Sequence, residues 1–159
     1  MKLKLLPIVA LLLTSAVFGA EPPNCKLMKR DETALACAIY YEARGASTID
    51  QLAVSYITIN RSKLYNKRLV SIVKQKGQYT FMKRKDLVPK ELVAWEHSKS
   101  LARQMILLSK NPVLYKSLDF TQGATYYHDR TISNPWNFTK TFKTAKLVLY
   151  RDDKYESSY

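Results

Sequence analysis

The stretch that decides the fold is Asp31-Glu32-Thr33-Ala34-Leu35-Ala36-Cys37-Ala38-Ile39-Tyr40-Tyr41-Glu42-Ala43-Arg44-Gly45. Its small and apolar residues recur at helical spacing, which predicts a helix from about Glu32 to Arg44. Asp31 is a suitable N-cap for this helix, and Gly45 can adopt the left-handed conformation that often follows a helix end. The stretch is therefore predicted to form the first helix of the folded domain.

One face of this helix combines three apolar residues with a carboxylic acid: Leu35, Ala38, Ile39 and Glu42. Burial raises the pKa of a carboxyl group, and the partial negative charge at a helix C-terminus acts in the same direction. Glu42 is therefore predicted to stay protonated near neutral pH, the state that a general acid requires. The alternative is a structural carboxylate paired with a buried arginine such as Arg61.

The remaining elements follow from periodicity and from turn residues. A second helix is predicted from Thr48 to about Arg61, with Thr48 and Gln51 as a capping box. The other predicted elements are a helical turn over 70–76, a loop over 78–86, a long helix from Pro89 to about Ser109 that Asn111-Pro112 stops, and strands over 124–128 and 146–151 that flank a loop over 131–138. The predicted fold class is α+β, one mainly helical domain with a small antiparallel sheet near its C-terminus.

The N-terminus differs from the rest of the chain. Lys2 and Lys4 precede an apolar run, and the small residues up to Ala20 are followed by two prolines. This layout predicts a secretory signal peptide over residues 1–20. A retained membrane anchor and an N-terminal core helix are the alternatives. The predicted location is the periplasm, the cell envelope or the exterior, with the membrane involved only through the signal segment.

The chain is strongly basic. Its 159 residues include 26 Lys and Arg against 13 Asp and Glu, and loss of Lys2 and Lys4 with the signal would lower the net charge from +13 to +11. In an exported protein, this charge favours an anionic polymer of the envelope over nucleic acid as partner, although solubility alone can also explain it. Cys25 and Cys37 could form a disulfide in an oxidising compartment, or Cys37 could be a small core residue.

Several kinds of catalytic site lack the residues that they need. The chain has two histidines and four glycines, without a His-Glu-x-x-His or a Cys-x-x-Cys motif. Neither a zinc site nor a phosphate-binding glycine-rich loop is therefore predicted, and no metal or cofactor is expected. No second carboxylate is as well placed as Glu42. Ordinary glycosidases use two carboxylates, so a lone acid favours internal attack by a substrate hydroxyl group.

Three segments combine aromatic rings with amide and hydroxyl groups: Gly77–Phe81, Ala124–His128 and Asn134–Trp136. Such rings can stack on sugars, and the alternative is core packing. Together with Ala38–Gly45 and Ala53–Arg61, these segments form an ordered set that resembles the SleB/CwlJ-type cell wall hydrolases, known from spore-cortex lytic enzymes. The resemblance implies a lysozyme-like catalytic domain over residues 34–151, after an extension over residues 21–33 and before a polar tail over residues 152–159.

The resemblance also implies a function. It implies an enzyme that cleaves peptidoglycan glycan strands between N-acetylmuramic acid and N-acetylglucosamine as a lytic transglycosylase, with Glu42 as the general acid and base. The expected oligomeric state is a monomer. The substrate-binding residues expected from the same segments are Gln78, Tyr79, Tyr126, His128 and Trp136. The alternatives are a hydrolytic muramidase or endolysin with a second carboxylate, and a non-catalytic basic module that binds the envelope. The chain departs from the family pattern at Ala46, Asp50 and 145–150, which bears on the substrate subtype.

Overall fold

The computed structural model describes residues 22–133 and 136–152. The predicted signal peptide, Asn134, Pro135 and the tail from residue 153 onward lie outside the described residues. The elements are α1 Asp31–Ala43, α2 Thr48–Leu64, α3 Leu69–Lys74, α4 Leu92–Ser109, α5 Pro112–Leu118, β1 Tyr126–Asp129, β2 Thr139–Lys143 and β3 Leu147–Arg151, with short 3₁₀ helices at Cys25–Leu27 and Thr80–Lys83. The predicted α+β class, helical with a small C-terminal antiparallel sheet, is confirmed.

Helix α1 lies at the centre of the helical part. It packs against α2, α3 and α4, and every residue from Ala34 to Tyr40 is buried. A helix that is apolar on all sides is typical of such an enclosed position. The four alanines among its residues leave room for the surrounding helices to approach closely. The carboxyl group of Glu42 therefore emerges at the end of the most enclosed helix of the domain.

The two ends of α1 differ in how well they were predicted. Asp31 is the first residue of α1 and not its N-cap, because Arg30 occupies that position without a capping side chain. The Asp31 carboxylate instead accepts a hydrogen bond of 3.1 Å from the amide of Val70 at the start of α3. At the other end the prediction is confirmed, since Gly45 follows the helix with a φ of +76°.

The capping box of α2 is shifted by one residue from the prediction. Ser47 is the N-cap, and its hydroxyl accepts from the Asp50 amide and donates to the Asp50 carboxylate at 2.6 Å. Thr144, between β2 and β3, donates to the other oxygen of that carboxylate. Asp50, and not Gln51, is therefore the partner of the cap residue, and it also ties the helix to the sheet.

The sheet has the strand order β1-β3-β2, with antiparallel pairing throughout. In β3 the residues from Leu147 to Tyr150 are buried, whereas β2 is mostly exposed and has a register shift between Lys140 and Phe142. The sequence analysis missed β2, because an exposed strand lacks the alternation that marks a half-buried one.

Two prolines were also misinterpreted. Pro112 does not merely stop α4, since it is the first residue of α5 and Asn111 caps that helix by accepting from the amide of Leu114. Pro89 precedes α4 without opening it, because the helix begins at Leu92.

A disulfide joins Cys25 to Cys37, the pairing considered from the sequence. It holds the segment that precedes α1 against the middle of that helix, where both cysteines are buried. The Cys25 amide also donates to the Leu87 carbonyl at 2.9 Å. In the part of the chain that the structure describes, no helix combines the length and the apolar character needed to cross a membrane.

The two adjacent hydroxyl residues at the start of α2 allow a direct test of the cap. Replacing Ser47 with Ala removes the acceptor for the Asp50 amide, and we expect the free energy of unfolding to fall by about 1–2 kcal/mol. Thr48→Ala is the matched control and should leave it nearly unchanged, because Thr48 is exposed and makes no capping contact. Urea unfolding measures both, and an equal loss in the two variants would contradict the assignment of the cap.

Candidate active site

Glu42 occupies the last turn of α1, where its side chain is half-buried. The Tyr127 hydroxyl donates a hydrogen bond of 2.7 Å to its Oε2 atom. Tyr127 belongs to β1, so this contact joins the central helix to the sheet across a long separation in sequence. The carboxyl group is thus held by a neutral donor from a different element, in one defined orientation.

Strand pairing explains why Tyr127 points at the carboxyl group. Side chains alternate between the two faces of a strand, so Tyr127 lies on the face opposite to its neighbours Tyr126 and His128. Its partner in β3 is Leu149, which is fully buried. The face that carries both residues is therefore the one packed against the helices. Burial and the nearby charge of Glu42 raise the pKa of Tyr127 well above its usual value, so its hydroxyl stays protonated and can donate.

The environment of Glu42 raises its pKa above the ordinary value of a glutamic acid. The largest cause is burial, which disfavours the ionised form. The hydrogen bond from Tyr127 and the positive charges of three basic residues act in the opposite direction without cancelling the effect of burial: Arg61, Arg84 and Lys146. The site thus favours a protonated carboxyl group while keeping cations close enough to stabilise its ionised form.

Arg61 is buried, and its positive charge lowers the pKa of Glu42. Its Nε atom donates to the Thr125 carbonyl, and its guanidinium lies 5.5 Å and 5.4 Å from the ring centres of Tyr79 and Tyr126. Among the described residues, Arg61 Nη1 has no hydrogen-bond partner, and no ion pair joins Arg61 to Glu42. Glu42 is therefore not the ion-paired structural carboxylate that the sequence left open as an alternative.

Several other carboxylates serve structural roles. They bind a backbone amide, a hydroxyl group or a cation: Asp31 with Val70, Asp50 with Ser47, Asp119 with Thr121, Asp129 with Thr131, Glu32 with Arg103, and Glu91 with Arg44. The charged groups that act most strongly on Glu42 are all positive. Within residues 22–133 and 136–152, no cluster of three or more His, Cys, Asp or Glu is arranged to hold a metal ion.

Three of the predicted substrate-binding residues form a cluster. The Trp136 ring lies 5.6 Å from Tyr126 and 5.9 Å from His128, and each of the three side chains is half-buried. His128 also stacks on Tyr150 and lies within hydrogen-bond distance of its hydroxyl group. This cluster lies on the β1 face opposite to Tyr127, so these residues do not surround the carboxyl group. Arg61 links this cluster to Glu42, because its guanidinium contacts the Tyr126 ring and its charge lowers the pKa of Glu42.

The other two predicted residues lie apart from this cluster. Tyr79 is only 2% exposed, and its hydroxyl is 2.7 Å from Thr58 Oγ1 in the core. A substrate therefore cannot reach the Tyr79 side chain, which instead forms one wall of the space that holds Arg61. Gln78 precedes it on the surface and is half-buried.

Tyr127 is the residue of the candidate site that sequence reasoning missed. Its segment was recognised as a strand, in which alternation places Tyr127 on the face opposite to Tyr126 and His128. Alternation alone does not say which face of a strand meets the helices, because both faces of this strand carry aromatic residues. Only the position of β1 against α1 resolves the choice.

Comparisons with known proteins bear on the family and the fold of the chain. A family model described as cell wall hydrolase matches residues 45–150, a span that begins just after Glu42 and includes Arg61 and Tyr127. Among solved structures, the catalytic domain of the Bacillus cereus SleB protein has a similar fold, with a TM-score of 0.55 and 20% sequence identity over 84% of this chain and 100% of that one. None of the curated proteins compared with the chain matches it.

The contact between Tyr127 and Glu42 makes a prediction about titration. Tyr127→Phe removes a hydrogen bond that stabilises the ionised carboxylate, so we expect the pKa of Glu42 to rise further. The carboxyl ¹³C shift of labelled glutamate measures this pKa, with Glu42→Gln identifying the resonance. Tyr56→Phe is the control, because the Tyr56 hydroxyl donates to the Leu118 carbonyl and should not influence Glu42. An unchanged or lower pKa in Tyr127→Phe would contradict the arrangement.

Proposed function

We propose that this chain, which belongs to the cell wall hydrolase family, cleaves peptidoglycan glycan strands between N-acetylmuramic acid and N-acetylglucosamine with Glu42 as its general acid. Family membership makes the chain an enzyme that degrades the cell wall. The choice of bond follows the resemblance to SleB/CwlJ-type enzymes, and the choice of Glu42 as the acid is supported by one observation above all. A half-buried carboxyl group with a raised pKa is held by a neutral donor beside three cations.

In the first step, Glu42 donates its proton to the oxygen that links muramic C1 to the glucosamine. The C1–O bond breaks, the glucosamine leaves with the new hydroxyl group, and positive charge develops on the muramic ring. The ionised Glu42 that remains accepts the hydrogen bond of Tyr127 and is stabilised by Arg61. The residues that lower the pKa of Glu42 in the resting enzyme therefore stabilise the carboxylate that this step creates.

In the second step, the muramic C6 hydroxyl attacks C1 while Glu42 takes its proton. The product is a 1,6-anhydro ring, no water is consumed, and Glu42 returns to its protonated form. This internal route is supported by the cationic surroundings of Glu42. Among the residues that the structure describes, the charges that affect its pKa most are all positive, and no second carboxylate suited to activating water is among them.

The glycan is proposed to extend from Glu42 towards the aromatic cluster. Tyr126, His128 and Trp136 provide half-buried rings suited to stacking on sugars, and Gln78 offers an amide for sugar hydroxyl groups. We further propose that the enzyme is exported by its N-terminal signal segment, because its polymeric substrate lies outside the cytoplasm. We also propose that it acts as a monomer. The excess of basic residues would help to retain it on the anionic envelope.

Replacing Glu42 with Gln tests the proposed acid. The amide preserves the shape and still accepts from Tyr127, but it cannot donate a proton to a leaving group. Release of soluble muropeptides from purified sacculi should therefore fall about a hundredfold or more.

Glu96→Gln is the matched control. It makes the same change of a carboxylate to an amide at an exposed residue of α4 that pairs with Lys99, and it should retain wild-type activity. Circular dichroism and thermal unfolding establish that both variants are folded. A folded Glu42→Gln variant with undiminished activity would refute the proposed role.

The products distinguish the two routes of cleavage. Transglycosylation leaves a 1,6-anhydro-muramic end, whereas hydrolysis leaves a reducing end that is heavier by one water, about 18 daltons. We expect mass spectrometry of unreduced products to show the lighter ends. Reducing ends as the main primary product would instead establish a hydrolytic muramidase.

A further inference from the structure

A pocket of about 290 Å³ lies between the end of α1 and the segment before α4. Its polar lining includes Tyr41, Arg44, Arg84, Asp86, Lys90 and Glu91, and we call it the basic pocket. Tyr41 is adjacent to Glu42 in α1, and the charge of Arg84 acts on Glu42 directly. A group bound here would therefore lie at the end of the helix that carries the proposed acid.

The charges of the basic pocket do not balance. Lys90 is 3.1 Å from Asp86, and Arg44 is 2.8 Å from Glu91, so two cations are paired with two carboxylates. In the described part of the chain, Arg84 has no ion-pair partner. The pocket therefore has one positive charge in excess, and Arg84 carries it.

Arg84 is also placed on a rigid support. Its guanidinium carbon lies 5.7 Å from the centre of the Tyr41 ring, which stacks on the buried Phe81 at 4.9 Å and 18°. A guanidinium that rests on an aromatic face keeps its N–H groups available at its edge, where they match the two oxygens of a carboxylate. The arrangement suits recognition of one carboxylate better than diffuse attraction of a polymer.

The proposed substrate carries carboxylates in only one place near the cleaved bond. The N-acetylated sugars of the glycan are neutral, whereas the peptide stems attached to muramic acid bear free carboxylates. Resting on the proposed function, we infer that the basic pocket binds a stem carboxylate through Arg84. The enzyme then cleaves strands with free stem carboxylates faster than strands without free carboxylates.

Three substrates test this inference: intact strands with stems, the same strands with amidated carboxylates, and strands stripped of stems by an amidase and then amidated at the lactyl carboxylates that this exposes. The wild-type enzyme should cleave the intact strands about three- to tenfold faster than either of the others, the range expected for a charge-assisted contact at a partly exposed site. In Arg84→Gln this advantage should disappear. Arg84→Lys should keep part of it, because it retains the charge without the planar fork.

The ratio of rates on two substrates isolates the contact. Arg84→Gln also raises the pKa of Glu42 by removing a cation, but that effect is common to all three substrates and cancels in the ratio. Lys85→Gln is the matched control, since it makes the same charge change one residue away, outside the pocket lining. It should leave the ratio unchanged. An equal ratio in the wild type and Arg84→Gln, or an equal loss in Lys85→Gln, would overturn the inference.

Binding separates this inference from the proposed chemistry. Co-sedimentation of Glu42→Gln with intact and amidated sacculi requires no cleavage. Arg84→Gln introduced into this background should lose the preference for intact sacculi. A preference that depends on Arg84 would support the pocket even if Glu42 proved unnecessary for cleavage. Equal binding to both sacculi would reject the pocket even if Glu42 proved essential.

Discussion

The hydrogen bond from Tyr127 to Glu42, 2.7 Å long, joins the helical part of the molecule to the sheet at the candidate site. Each partner is fixed by its own element. Glu42 follows the most enclosed stretch of α1, and Tyr127 is held by the pairing of β1 with the buried strand β3. A change of register by one residue would turn Tyr127 away and present Tyr126 or His128 instead. The register of the sheet is therefore a condition for the orientation of the acid.

This arrangement has a cost in stability. The pKa of Glu42 is raised in the folded state, so its contribution to stability is fully present below the unfolded pKa and is lost as the pH rises through the folded pKa. As the pH rises above the unfolded-state pKa, the folded environment therefore stabilises the Glu42 carboxylate less than water does, and the free energy of unfolding falls. Elsewhere, Asp50 and Asp119 are buried but bind hydroxyl and amide donors. Such a difference between carboxylates is typical of a functional site.

Part of this architecture could be predicted from the sequence, and the limits have physical causes. Periodicity was sufficient for α1 and for the placement of Glu42, because an enclosed helix has a strong apolar pattern. It placed the cap at Thr48 and not at Ser47, because both have suitable hydroxyls and the contacts of Ser47 with Asp50 form only in the folded helix. It also could not choose between Tyr126 and Tyr127, because both faces of β1 bear aromatic side chains.

The balance of forces on Glu42 bears on the proposed two-step chemistry. Burial alone would hold the carboxyl group protonated so firmly that it would be a poor donor and, once ionised, an unstable base. Four residues from different parts of the chain lower the pKa that burial raises: Tyr127, Arg61, Arg84 and Lys146. The carboxylate that follows proton donation therefore has stabilising groups already in place. A group that must act first as an acid and then as a base works best when its pKa lies near the working pH. Burial and positive charge act in opposite directions on the pKa of this single carboxyl group, as this dual role requires.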